Sequence, residues 1–89
     1  MIEDNLQSRI DEIRWYHEFD FGNNLKARSF EPDVEGHRRI WSFIERHLET
    51  VDFRGKTVLD IGAWDGYWSF YAEQKGASYV LAADDLSQN

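Results

Sequence analysis

The segment Val58-Leu59-Asp60-Ile61-Gly62-Ala63-Trp64-Asp65-Gly66-Tyr67 passes from a nearly continuous apolar run to a pair of glycines. Thr57 to Gly62 is β-branched and apolar in the manner of a buried parallel strand, whose two covered faces leave no polar alternation. Glycines at 62 and 66 remove side chains where a ligand must approach the backbone. Beyond them, Tyr67 to Lys75 carries Trp68, Phe70, Tyr71 and Ala72 in a helical pattern and stops at Gly76, a residue suited to the left-handed position that ends helices. A short strand is expected from Ser78 to Ala83. Strand, glycine loop, helix and strand together form one βαβ unit, and its crossover implies the parallel sheet of a doubly wound α/β fold. The loop then lies at the C-terminal edge of the strand, where open α/β sheets bind ligands.

Upstream, Ile2, Leu6, Ile10 and Ile13 recur at spacings of four and three, which is the stripe of an amphipathic helix running from Ile2 to about Arg14. Trp15 to Asp33 loses periodicity and collects Gly22, Asn23, Asn24, Ser29 and Pro32, so it reads as a largely irregular connection whose aromatic residues need partners. A second helix is expected from near Asp33 to Glu49, with Pro32 or Asp33 at its start and Ile40, Trp41, Phe43, Ile44 and Leu48 on its apolar face. Gly36 weakens its first turn, and Asp52 to Lys56 is turn-like. The organisation is therefore an N-terminal helical extension over residues 1–52 and a first βαβ unit over residues 53–89. Asp84 to Asn89 breaks off where such a sheet would begin its next helix, and two parallel strands alone leave both edges unpaired. The expectation is a truncated domain, or a chain completed by a partner such as a second copy that extends the sheet.

The 89 residues include 42% hydrophobic ones, with 6 Phe, 4 Tyr and 4 Trp, enough for a modest core with little margin and no disulfide to reinforce it. The absence of cysteine excludes thiolate metal sites and cysteine nucleophiles, and makes a reducing cytoplasm the default. The first residues are acidic where a secretory signal would be basic, and no apolar run approaches the ~20 residues that span a bilayer, so no membrane association is expected. A net charge of -7 opposes non-specific adhesion to nucleic acid, so any RNA contact has to be local. Lys26, Arg28, Arg38, Arg39, Arg46, Arg54 and Lys56 could supply one, although most such residues lie on solvated helix faces and loops.

Val-Leu-Asp-Ile-Gly-x-x-x-Gly, followed by Asp84 at the end of the second strand, resembles the first motif and the ribose-binding acid of class I S-adenosylmethionine-dependent methyltransferases. The resemblance implies a Rossmann-like domain that binds S-adenosyl-L-methionine through Asp60, Gly62, Ala63, Trp64, Asp65, Gly66, Asp84 and Asp85. Asp84 would anchor the two ribose hydroxyls. Asp85 stands where the family commonly has an apolar residue near adenine, and Leu86 is a second candidate for that place. Trp64 departs from the glycine-rich form. Because Trp does not readily adopt a positive φ, the loop is expected to follow a different path there, with the indole covering the cofactor or packing on the N-terminal segment. Trp15-Tyr16-His17, Asp20-Phe21-Gly22 and Gly36-His37-Arg38-Arg39-Ile40-Trp41 are similar to the tRNA wobble-uridine carboxymethyltransferase-like group. That group carries an N-terminal helical extension, and its named members deliver a carboxylated S-adenosylmethionine to tRNA. The acceptor implied is thus tRNA or a small molecule.

Dinucleotide binding is the competitor within the same fold, but its Gly-x-Gly-x-x-Gly fingerprint is missing: Trp64 takes the middle glycine position, and Asp65 adds negative charge where pyrophosphate oxygens would lie. S-adenosylmethionine carries a sulfonium and an ammonium and no phosphate, so Asp60 and Asp65 are compatible with it. In blander readings Asp60 caps local amides and the glycines are plain turn residues, or the chain is a non-catalytic Rossmann-like binding or assembly module. Histidines 17, 37 and 47 lack metal spacing. Histidines in an aromatic connecting segment are more often packed or hydrogen-bonded than catalytic. No catalytic residue is assigned, because in methyl transfer positioning and desolvation dominate and the nucleophile belongs to the substrate.

Overall fold

The computed structural model describes residues 2–85. Along the chain run α1 (Ile2–Asp11), β1 (Phe19–Gly22), β2 (Leu25–Ala27), α2 (Val34–Leu48), β3 (Thr57–Ile61), α3 (Tyr67–Gln74) and β4 (Tyr79–Ala83). This is a mixture of helix and sheet compatible with the α/β class. It divides into two compact units, Met1–His37 and Arg38–Asn89, with the boundary inside α2.

In the first unit the segment expected to be irregular contains an antiparallel hairpin. Phe19 pairs with Ala27 and Asp20 with Lys26, and the register shifts between Asp20 and Gly22. Asn23 and Asn24 turn the chain with φ of 53° and 63°, two consecutive left-handed residues of the kind whose twist suits a tight hairpin. The aromatic residues partner one another: the Trp15 ring lies 5.0 Å from Phe19 and 5.9 Å from Phe21, and the two phenylalanines stack at 5.4 Å. α1 packs against β2. There the Gln7 carboxamide donates to Lys26 O at 2.8 Å and accepts from Lys26 N–H at 3.0 Å, satisfying both backbone groups of that residue. α1 ends at Asp11, short of the expected Arg14, because the Ile10 carbonyl accepts from the Trp15 indole N–H at 2.8 Å and from Ile13 N–H at 3.1 Å.

α2 begins where Pro32-Asp33 leads the chain in. The Asp33 carboxylate accepts from Gly36 N–H at 3.2 Å, a side-chain cap on an otherwise unpaired amide. Gly36, which weakens the turn by propensity, is where the cap sits: a β-carbon there would overlap the Asp33 carboxylate.

In the second unit β3 and β4 pair in parallel, residue for residue from Thr57↔Tyr79 to Ile61↔Ala83, with α3 between them in sequence and packed on both. Phe53, Tyr71 and Ala72 are buried together, with Leu48, Val58, Trp68, Ala77 and Val80 around them. α3 closes on Gly76 as expected: Gly76 N–H bonds to Glu73 O at 3.0 Å and Ala77 N–H to Ala72 O at 3.1 Å, the paired bonds of a Schellman ending. The turn before β3 is held by Arg54, which donates to Asp52 through its backbone and guanidinium and keeps that carboxyl below its ordinary range. Among the described residues only one face of the sheet is covered. Ile61 is 79% exposed, and Leu59, Tyr79 and Leu81 are each more than half exposed, whereas the composition of β3 anticipates burial on both sides. In strand alternation these four residues lie opposite Val58 and Val80, which meet α3.

Candidate functional site

The loop between β3 and α3 is built largely from backbone bonds. Gly62 and Ala63 both donate to the Ala83 carbonyl, at 2.7 and 3.0 Å, which carries the parallel ladder one step past its last strand pair. Gly66 N–H bonds to Ala63 O at 2.8 Å, and Gly66 O accepts from Phe70 N–H at 3.0 Å, so the loop turns directly into the helix. Gly62 and Gly66 have φ of 73° and 82°, a region that side chains disfavour. A β-carbon on Gly62 would meet nothing within 4 Å, so the backbone there faces open space and could be approached closely.

Trp64 is where the loop departs from expectation. It adopts the positive φ that its side chain disfavours, at 51°. The compensation is a short, charge-assisted bond: Trp64 N–H donates to Asp84 Oδ2 at 2.6 Å. The other oxygen of Asp84 accepts from Asp85 N–H at 2.7 Å. Each oxygen holds one backbone donor and retains capacity for another. Ala63 is buried beneath the loop and Trp64 is half-buried, while Asp84 and Asp85 are exposed.

Asp65 and Asp60 face inward by different means. Asp65 Oδ1 accepts from Tyr67 N–H at 3.3 Å, which sets a carboxylate against the first amide of α3, where a pyrophosphate would have to bind. Asp60 does not cap amides. Its Oδ2 accepts from the hydroxyl of Ser69, in the first turn of α3, at 2.8 Å. The eight expected residues thus lie along one edge, Asp60 to Gly66 on and after β3 and Asp84 and Asp85 after β4. Leu86 lies outside the described residues. Ser69 escaped the sequence reading, although an acid on an apolar strand already called for a partner, and a serine nine residues later on the covering helix could supply one.

The histidines are engaged elsewhere. His17 is 5% exposed, with its ring edge-on to Tyr16 at 4.7 Å. His37 Nδ1 lies 2.7 Å from the Tyr16 hydroxyl, and its Nε2 lies 3.3 Å from Glu31. Among the described residues no three His, Cys, Asp or Glu are grouped to hold a metal ion. An open cleft in the first unit mixes Lys26 and Arg28 with Asp11, Glu18 and Asp20, so its charge selects no ligand class. No helix among the described residues is long and apolar enough to cross a membrane.

No family model matches the chain, and no solved structure matches it. Among curated proteins a short stretch does. The likeness is to methyltransferases. Over 40 residues, 43% of its length, the chain is 48% identical to the histone-arginine methyltransferase CARMER of Drosophila erecta and to the probable histone-arginine methyltransferase CARMER of Drosophila melanogaster. It is 44% identical over 41 residues to the Drosophila ananassae protein. The matched stretch spans 8% of the length of these curated relatives. The likeness supports methyltransferase at that coarse level, and the narrower tRNA wobble-uridine resemblance has no counterpart in these relatives.

Proposed function

We propose that this chain is the cofactor-binding portion of an S-adenosylmethionine-dependent methyltransferase, with residues 53–89 as the first strand–helix–strand unit of a Rossmann-like domain and residues 1–52 as an extension ahead of it. One observation carries the reading. The bond between Trp64 N–H and Asp84 joins the glycine loop after β3 to the acid after β4, the two features that a nucleoside-containing cofactor would need on one edge. The short methyltransferase likeness supports the same chemistry.

In this reading Gly62 leaves room for the cofactor beside the backbone, Gly66 turns the chain into α3 through its positive φ with the Phe70 ring against it, and Ala63 and Trp64 shape the loop. Asp84 uses its remaining acceptor capacity for the ribose hydroxyls, and Asp85 borders the adenine. Asp60 and Asp65 set negative charge near the cationic methionine end. The cofactor, when bound, supplies an electrophilic methyl on sulfonium; the residues of this chain bind, orient and desolvate it. The carboxylate of Asp65 on the first amide of α3 argues against a dinucleotide.

Calorimetric titration of S-adenosylhomocysteine into the whole chain and into Asp84→Ala, with NAD as control, tests the proposal. Binding by the wild-type chain, about tenfold weaker in the variant and absent for NAD, is the expected outcome. A folded wild-type chain that binds no S-adenosylhomocysteine overturns it and favours a non-catalytic assembly module, a reading to which the uncovered face of Leu59, Ile61, Tyr79 and Leu81 lends support.

A further inference from the structure

We propose that Ser69 is a positioning residue for the ammonium-bearing end of the cofactor and acts through Asp60; the proposal rests on the cofactor reading above. Asp60 and Asp84 differ in what their carboxylates already hold. Both oxygens of Asp84 accept backbone amides, from Trp64 and from Asp85. Asp60 accepts one bond at Oδ2, from the Ser69 hydroxyl at 2.8 Å, and among the described residues Oδ1 has no hydrogen-bond partner.

That single bond fixes how the carboxylate is turned. Asp60 follows Leu59 and precedes Ile61, both exposed on the uncovered face, so alternation puts Asp60 on the α3 side with Val58. Ser69 is the third residue of α3 and half-buried, on a helix that packs on both strands. A hydroxyl has one proton to donate, and here Ser69 donates it to Asp60. The carboxylate is held against the helix by one oxygen, and the other remains an acceptor on a residue two positions ahead of Gly62, where β3 runs into the glycine loop. An ammonium group has three donors and no acceptor, which suits an acceptor-only partner held in one orientation. Asp84, tied to the loop and the following amide, suits the neutral ribose hydroxyls. On the cofactor reading the two ends fall to two acids, and Ser69 serves one of them.

Two ligands separate the ends. S-adenosylhomocysteine carries the amino-acid end; 5′-methylthioadenosine keeps the thioether, ribose and adenine and lacks the ammonium and carboxylate. Both are titrated into the whole wild-type chain and into Ser69→Ala, Ser69→Thr and Ser69→Val, with circular dichroism to establish that each is folded. Ser69→Ala and Ser69→Val are expected to weaken S-adenosylhomocysteine about tenfold and to leave methylthioadenosine within about twofold, while Ser69→Thr, which keeps the hydroxyl, stays near wild type. If Ser69→Ala does not fold, the isosteric Thr and Val variants decide. Equal weakening of both ligands, or no effect on either, overturns the positioning role and leaves the cofactor reading standing. Failure of the wild-type chain to bind either ligand removes both.

Discussion

Trp64 and Gly62 show how the loop divides its conformational demands. A left-handed backbone costs an ordinary residue about 1–2 kcal/mol, and Trp64 carries that conformation because its amide reaches a carboxylate at 2.6 Å. Sequence reasoning expected the loop to avoid that conformation at Trp64, since the Trp was weighed alone and the bond comes from a residue twenty positions away. Gly62 has no such partner for its φ of 73°, and its missing β-carbon would touch nothing. Gly62→Ala is therefore expected to cost about 1 kcal/mol through the backbone alone, a fall of about 4–8 °C in Tm measured by thermal melting. That Asp84 stands directly after a strand was legible from the sequence; its bond to the Trp64 amide was not. Nor was Ser69, because a serine in a first helical turn is ordinary until the strand residue facing it is known.

At the level of elements, β3, α3 and β4 were legible to within a residue or two, since a β-branched run, two glycines and a glycine-terminated helix each have a local cause. The hairpin was not. Its strands are four and three residues long, too short for alternation to register, and the Asn23-Asn24 turn was visible only as a loop signal. α3 carries a testable consequence of its burial. Tyr71 is buried with Phe53 and Ala72, and that burial, followed by the charges of Glu45 and Glu49, raises its phenol above the usual 10.0. Folded Tyr71 thus holds its proton more tightly than the unfolded chain does. Its contribution is complete below about pH 10 and is lost as pH climbs through the folded value. Melting temperature should consequently fall more steeply above about pH 10 in the wild-type chain than in Tyr71→Phe; parallel curves would contradict the assignment.

Among the described residues the buried core is small, and the sheet of the second unit carries a large uncovered apolar surface. Leu59, Ile61, Tyr79 and Leu81 form one exposed face by register, and composition alone hides this because it counts apolar residues without saying how many helices cover them. A dye such as anilinonaphthalene sulfonate, which fluoresces on apolar surface, should bind the folded chain. Leu81→Lys should reduce that fluorescence while changing stability by no more than about 0.5 kcal/mol, since the side chain is already half in water. Unchanged fluorescence would mean that the dye reports another surface.

The Ala83 carbonyl, which receives both Gly62 and Ala63, belongs to a residue whose side chain takes no part in the bond. A tether made only of main-chain atoms uses no side chain: apart from proline at 62 or 63, which would remove a donor, and the strain that any side chain adds at the positive φ of Gly62, substitution leaves it in place. The geometry of this edge can consequently persist through extensive sequence drift, and similarity counted letter by letter would understate how much of it two distant chains share.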